Sequence, residues 1–354
     1  MQWEADTAPL RPGEEINTAA LSDYLRGRVE GADSGVSLEQ FPGGHSNLTY
    51  LVRAGDREYV LRRAPLGPVP PKAHDMAREY RLLARVHPLF PAAPNVYLLC
   101  EDAAVIGSAF FLMERRRGLI FRDRMPAALE READLGARVS RAFLDCLIDL
   151  HAIDIERHGL AALGKAQGFM ERQVCGWSER WNRAKTEDLP EMDTVMRWLG
   201  EALPVSGPAT LVHNDYKLDN VMLNASDPGR IEAVLDWEMA TVGDPLADLG
   251  LTLCYWTLGS ASAGERASVS TGPGWYTRDG IVASYGEKTG RDVSGIRYYE
   301  VLGVFKLAVI LQQIYFRYAR GQTRDQRFRG FDRRVRGLVD TAVGLARNAT
   351  KNAG

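Results

Sequence analysis

The chain has 354 residues, 45% apolar and 25% charged, a globular mixture that excludes disordered, collagenous and disulfide-scaffold readings. With 44 Lys plus Arg against 46 Asp plus Glu, the net charge of -2 provides no field to draw in nucleic acid, and no nucleic-acid partner is expected. At ~150 residues per domain, this length suits two domains or two lobes of one.

The N-terminus, Met1-Gln2-Trp3-Glu4-Ala5-Asp6, carries acids where a signal peptide needs basic residues and an apolar run. No stretch is seen to approach the ~18 apolar residues of a membrane span, so a cytoplasmic protein with no membrane partner is expected. Residues 1–35 read as a polar lead-in holding one short helix over 18–29, with Asn17 as its N-cap. Period-two alternation in Val36-Ser37-Leu38-Glu39-Gln40-Phe41 predicts a strand. Strands over 47–53 and 58–63 follow, with Gly43-Gly44 and Gly55-Asp56 as turns of an antiparallel meander. The spacing of Met76, Tyr80 and Leu83 predicts a helix over 72–86, and two more strands are expected at 95–100 and 109–114. Past this strand-rich part, 36–115, residues 116–354 carry helical patterns over 138–151, 170–185 and 296–320, with one strand-rich island over 211–237. The fold class is α+β: a small antiparallel sheet with one helix and a larger, mostly helical part, with a ligand cleft expected between them.

Cys100, Cys146, Cys175 and Cys254 lack C-x-x-C spacing and read as reduced, mostly buried thiols. The chemistry concentrates in Leu211-Val212-His213-Asn214-Asp215-Tyr216-Lys217-Leu218-Asp219-Asn220-Val221-Met222-Leu223, the turn Asp227-Pro228-Gly229, and Ile231-Glu232-Ala233-Val234-Leu235-Asp236-Trp237-Glu238. Apolar runs on both sides of the turn predict a hairpin that brings Asp236 beside Asn220. Two carboxylates and a carboxamide supply oxygen only, a donor set suited to Mg²⁺ shared with nucleotide phosphates. Asp215 then remains to accept the proton of an attacking hydroxyl, and phosphoryl transfer needs little more. Any one of these residues alone would read as a turn cap; H-x-D-x-x-x-x-N followed after a hairpin by a hydrophobic residue and Asp is the specific pattern.

This segment resembles the catalytic and metal-binding loops of the protein-kinase-like fold, in the branch of aminoglycoside phosphotransferases and related small-molecule kinases. Gly243-Asp244-Pro245-Leu246-Ala247-Asp248-Leu249 is similar to that branch's segment after the metal aspartate. Arg172-Gln173, Trp177 and Phe305-Lys306-Leu307-Ala308 resemble kinase-like domains found alone or fused to acyl-CoA dehydrogenases. The resemblance implies a protein-kinase-like two-lobed fold, ATP and Mg²⁺ as cofactors, Asp215 as catalytic base, and Asn220 and Asp236 as Mg²⁺ ligands. It makes Gly43, Gly44, His45, Ser46 and Asn47 the phosphate loop. Arg62, on one strand face with Val60, stands where a lysine usually holds the α and β phosphates, with Glu79 as its helical partner; guanidinium can bind phosphate bidentately. Met113, Glu114 and Arg115 occupy the hinge, where backbone groups of the last two should read adenine. Lys217 would touch the transferring phosphate, His213 would orient the loop through hydrogen bonds, and Glu238 is a candidate auxiliary metal neighbour.

Asn214 replaces the arginine with which protein kinases sense a phosphorylated activation loop, Trp237-Glu238 replaces their Phe-Gly, and no Ala-Pro-Glu follows. A small-molecule hydroxyl substrate is therefore expected. The P-loop-like run Gly159-Leu160-Ala161-Ala162-Leu163-Gly164-Lys165-Ala166 is set aside, because Ala166 stands where Ser or Thr must hold Mg²⁺. From 301 to 354 there are eleven basic residues (Lys306, Arg317, Arg320, Arg324, Arg327, Arg329, Arg333, Arg334, Arg336, Arg347, Lys351) against three acidic (Asp325, Asp332, Asp340). Such a surface repels aminoglycosides and suits an anionic acceptor, such as a hydroxyacyl thioester of coenzyme A. An aminoglycoside or other small-alcohol kinase and a nucleotide-binding pseudokinase are the alternatives. Trp177, Trp181, Tyr255, Trp256, Tyr315 and Phe316 are available to line an acceptor pocket or to fill the core. Oligomeric state has no signature in the sequence.

Overall fold

The computed structural model describes residues 6–42, 47–65, 75–122, 134–258, 268–323 and 325–351, with Met125, Pro126, Leu129 and Glu132. It divides into two units, residues 1–118 with 232–238, and residues 119–231 with 239–354.

In the first unit, β1 (Val36–Gln40), β2 (Leu48–Ala54), β3 (Arg57–Arg63), β4 (Val96–Cys100) and β5 (Phe110–Glu114) form one antiparallel sheet in the order β1-β2-β3-β5-β4. The expected meander holds through β3; β5 then takes the place beside β3 and leaves β4 at the edge. Alternation sends Leu48, Tyr50 and Val52 of β2, Leu61 of β3 and Phe110 and Leu112 of β5 into one core. Val60 and Arg62 point to the other face.

Helix α1 (Thr18–Leu25) begins where expected, with the Asn17 side chain accepting from the Ala20 amide. It stops at Leu25, short of the expected Val29, because Arg26 turns to ψ 129°. The polar lead-in reading is corrected here. Leu21 and Leu25 are fully buried in the sheet's core, a burial that contributes roughly 1.5–3 kcal/mol per side chain. Helix α2 (Met76–Val86) starts at Asp75, whose side chain accepts from the Arg78 amide. It buries Met76, Leu82, Leu83, Val86 and, among these apolar groups, Glu79; Tyr80 is half-buried and meets Phe111 edge-on at 6.3 Å. A short helix, α3 (Ala103–Ile106), capped by Asp102, adds Ile106 to the core.

The second unit contains α4 (Leu135–His151), α5 (Phe169–Ala184), α6 (Pro190–Glu201), α7 (Pro245–Leu258), α8 (Arg278–Thr289), α9 (Ile296–Ala319) and α10 (Phe331–Lys351). Its strands β6 (Thr210–Val212) and β9 (Thr241–Gly243) pair antiparallel, β7 (Val221–Leu223) follows the loop over 213–220, and β8 (Ile231–Val234) carries the chain into the first unit. Helix α9 corrects the expectation that nothing approaches a membrane span. It has 24 residues, and its most apolar 18-residue window has mean hydropathy 1.3, with 72% of that window buried. A helix apolar on all sides belongs in a core. It approaches α7 at two glycines: a Cβ at Gly250 would lie 2.4 Å from the Tyr299 carbonyl carbon, and one at Gly303 would lie 2.9 Å from the Gly250 oxygen. The P-loop-like run forms a 3-10 turn at Leu160–Leu163. All four cysteines are free, with Cys100, Cys146 and Cys254 buried and Cys175 exposed.

Candidate active site

The residues singled out in the sequence gather into two clusters, one in each unit. In the first, strand alternation aims Arg62 away from the sheet's core toward α2, where Glu79 is 2% exposed. Arg62 Nε and Glu79 Oε2 are 3.1 Å apart, an ion pair in which neither atom gains a hydrogen bond. Segment 232–238 belongs to this unit because Trp237 packs edge-on against Phe90 at 5.9 Å and Val234 donates to the Ala92 carbonyl at 2.8 Å. That anchorage delivers Asp236, which accepts from Arg62 at 2.5 Å, and Glu238, whose carboxylate is 3.8 Å from Arg62. Glu238 also accepts from the Asn47 side chain at 2.7 Å, and its carbonyl accepts from Arg78 at 2.9 Å.

Three carboxylates thus share one guanidinium. Burial alone would weaken the Arg62 cation, but the three anions hold its pKa above the usual arginine value. Glu79 moves upward to about 7, because burial and the charges of Asp236 and Glu238 outweigh the help from Arg62.

Gly43, Gly44, His45 and Ser46 lie outside the described residues. Asn47 is described, and its amide side chain engages Glu238 as given above. Val60 pairs with Met113 across β3 and β5, both buried. At the expected hinge, the Glu114 amide donates to the Asn95 carbonyl at 2.8 Å, so it is already spent. The Arg115 side chain pairs with Asp6 and stacks over Phe41 at 4.9 Å. A cleft of about 710 Å³ in this unit lies beside Glu114 and Arg115 and is not lined by Arg62 or Glu79. Its charges answer one another, for instance Arg53 to Glu58 and Arg57 to Glu30, so it is not the site.

In the second unit, β6 ends at Val212 and the chain turns sharply. Asn214 adopts φ +63°, a left-handed value that Asn tolerates better than most residues, and it is stabilised from below. The buried Asp248 carboxylate accepts from the His213 and Asn214 amides at 2.5 Å each and meets His151 Nε2 at 3.3 Å. Burial pushes that carboxyl upward, yet His151 and His213 with the His213 amide hold it below the usual aspartate value. His213 Nδ1 accepts from the Asp215 amide at 3.3 Å, which suits orientation of the loop and leaves Nδ1 without a proton.

Asp215 is fixed on three sides. Lys217 Nζ lies 2.8 Å from Oδ2, the Tyr255 hydroxyl donates to Oδ1 at 3.0 Å, and Asn220 Nδ2 donates to Oδ2 at 2.8 Å. Lys217 also sits 4.8 Å above the Tyr255 ring. Because Asn220 spends its Nδ2 on Asp215, its Oδ1 is the atom it offers to a cation. The Asp227 turn closes as expected, with Asn224 donating to the Arg230 carbonyl at 2.9 Å. A shallow pocket beside this loop is lined by Phe143, Lys217, Asp219, Thr252, Tyr255 and Trp256.

Asp236 also takes a left-handed turn, φ +67°; with Asn214 it is one of two non-glycine residues described in that region, and both lie in predicted loops of the site. Asn220 belongs to the second unit and Asp236 to the first. Asp248 and Tyr255 are the functional side chains whose roles sequence reasoning missed. Asp248 stood in a quoted motif without an assigned partner, and Tyr255 was one aromatic among six.

By donor chemistry, each unit carries groups that suit a phosphate and its bound cation: oxygen-bearing Asn220 in the second, and in the first the Asp236 carboxylate with Arg62 Nε and Glu79 Oε2, buried polar atoms without hydrogen-bond partners.

Comparison with known proteins gives one consistent picture. Residues 37–280 match the family profile described as "APH: Phosphotransferase enzyme family". The chain is 34% identical over 325 residues, 90% of its length, to mouse acyl-CoA dehydrogenase family member 10, of which it covers 30%. It is 32% identical over 359 residues to rat acyl-CoA dehydrogenase family member 11, covering 98% of this chain and 45% of that one. The chain therefore spans less than half the length of these relatives. Among solved structures, a candidate aminoglycoside phosphotransferase from Ralstonia eutropha JMP134 superposes with TM-score 0.79 at 28% identity, covering 94% of this chain and 99% of that one. A choline kinase from Cryptosporidium parvum Iowa II gives 0.62 at 12% identity, covering 92% and 98%. These likenesses give the fold as the two-lobed α+β architecture of kinase-like phosphotransferases, as the sequence resemblance implied.

Proposed function

The chain belongs to the phosphotransferase enzyme family, and from that premise we propose that it moves the γ-phosphate of ATP to a hydroxyl of a small, anionic metabolite of the hydroxyacyl-CoA kind. The observation that carries this reading is the Asp215 carboxylate, held at once by Lys217, Tyr255 and Asn220. A carboxylate fixed this firmly is a base set for one incoming hydroxyl, and fixing it lowers the reorganisation that proton transfer would otherwise require.

Asp215 accepts the hydroxyl proton as the oxygen attacks phosphorus. Lys217, already against Asp215, places a positive charge where the transferring group gathers negative charge. Arg62 offers its guanidinium to phosphate oxygens, and Glu79 keeps that group in position on β3. In this reading Asn220, through Oδ1, and the Asp236 carboxylate are the residues that would hold Mg²⁺, and the ion would supply neutralisation of the phosphate charge. His213 and Asp248 keep the loop in its turn and carry no proton to substrate.

The acceptor class rests on two supports. The curated relatives are named as acyl-CoA dehydrogenase family members, whose substrates are acyl thioesters by name. The C-terminal segment is basic, which disfavours polycations. An aminoglycoside acceptor is the second reading, supported by the Ralstonia eutropha structure. Labelled ATP should be offered with a panel of hydroxyacyl-CoA esters and aminoglycosides. Label transfer to the thioesters is expected; transfer to aminoglycosides alone overturns the acceptor, and ATP binding with no transfer to any hydroxyl makes the chain a pseudokinase.

A further inference from the structure

Helix α9 buries Lys306, 3% exposed, in the second unit, and the basic C-terminal surface expected from sequence therefore does not include it. Its ammonium lies 5.4 Å from the centroid of the Trp177 ring on α5. One turn along that helix, the half-buried Arg180 places its guanidinium 4.3 Å from the same centroid. Gln173 pins the indole by accepting from Trp177 Nε1 at 3.1 Å. Neither cation has an ion pair or a hydrogen bond to any described residue. The carboxylates whose charge reaches Lys306 are Asp215 and Asp248. Both are engaged elsewhere, Asp215 by Lys217, Tyr255 and Asn220, and Asp248 by His151 and two amides.

Two cations drawn toward one indole with no anion beside them is a costly arrangement. Cation–π attraction recovers only part of the desolvation of a buried charge. The cost is visible in both groups: burial and the Arg180 charge bring Lys306 down to about 8, and burial with Arg183 lowers Arg180. Asp215, whose charge reaches Lys306, lies in the same unit, and the two cations have no ion-pair partner among the described residues.

We infer that Trp177, Arg180 and Lys306 form a subsite that holds an anionic oxygen group, carboxylate or phosphate, of the phosphate acceptor. The inference rests on the phosphotransferase reading for the identity of its ligand and deepens it. The acceptor carries a hydroxyl for Asp215 and, on the same molecule, an oxyanion for this cluster. Polycationic acceptors are rejected there by like charge.

The test is binding without turnover. Wild-type chain, Lys306→Met, Lys306→Arg and Arg180→Gln are titrated in a calorimeter with 3-hydroxybutyrate, inorganic phosphate and neutral 1,3-butanediol, with no nucleotide present. Wild type should bind at least one anion and not the diol; which anion binds separates a carboxylate from a phosphate ligand. Lys306→Met and Arg180→Gln should each weaken that binding roughly tenfold, the loss of one charge-assisted hydrogen bond, while Lys306→Arg retains most of it. Lys306→Met should also raise the thermal midpoint of the ligand-free chain, since it removes an unpaired buried charge. Wild type binding neither anion, or equal affinity in all four proteins, overturns the subsite. Because no ATP is consumed, such a failure is independent of the labelled-ATP result, and Arg180→Gln carries the test if Lys306→Met does not fold.

Discussion

The Arg62 guanidinium donates to the Asp236 carboxylate over 2.5 Å, joining the strand position predicted to hold phosphate to the residue predicted to hold the cation. Glu79 and Glu238 crowd the same group, so Arg62 serves as counter-charge to three carboxylates at once. Arg62→Met should therefore cost about 3–5 kcal/mol of stability, the size expected when one partner of a buried ionic cluster is removed. Urea denaturation measures it, and a loss under 1 kcal/mol means the cluster contributes little to folding.

Glu79 gives a pH dependence with a defined sign. Its carboxyl titrates near 7 in the folded chain, against 4.5 unfolded, so the folded state binds more protons between those values. The stability it contributes is complete below about pH 4.5 and is lost as pH rises through about 7. Glu79→Gln should flatten the decline of unfolding free energy across this window. An unchanged slope places the pH dependence elsewhere.

Tyr255 holds one oxygen of Asp215, and its own ionisation is pushed far up by burial and by the Asp215 charge, so it acts as a donor throughout the working range. Tyr255→Phe should lower kcat about tenfold, the worth of one hydrogen bond to a charged group, while the KM for ATP stays within twofold. A change in KM alone would assign Tyr255 to binding.

Helices α7 and α9 approach at Gly250, where an added Cβ would lie 2.4 Å from the Tyr299 carbonyl carbon. Backbone cannot move aside as a side-chain tip can. Gly250→Ala should destabilise by about 1–3 kcal/mol, the usual penalty of overpacking, read as a lower urea midpoint.

Much of this was legible before any coordinates. Alternation placed Val60 and Arg62 on one strand face, and the H-x-D-x-x-x-x-N spacing singled out Asp215, Lys217 and Asn220 as one group, because both are local properties; that Lys217 and Asn220 bond to Asp215 itself is what the structure adds. The partners that reach the site across long sequence separations were not legible. Tyr255 meets Asp215 forty residues away through the packing of α7, and Asp248 receives the amides of His213 and Asn214 from thirty-five and thirty-four residues away. Leu21 and Leu25 lie in a short, mostly polar stretch whose apolar spacing is too brief to announce a core helix. Lys306 looked like one more surface cation, since only the packing of α9 shows that it is buried.

The central claim is that Asp215 takes the proton from an acceptor hydroxyl, and Asp215→Asn tests it most directly. With labelled ATP, Mg²⁺ and the best acceptor of the panel, the variant should transfer phosphate at least about 10²-fold more slowly than wild type, the usual worth of a general base, while ATP still raises its thermal midpoint. Equal transfer rates in the two proteins would contradict the account.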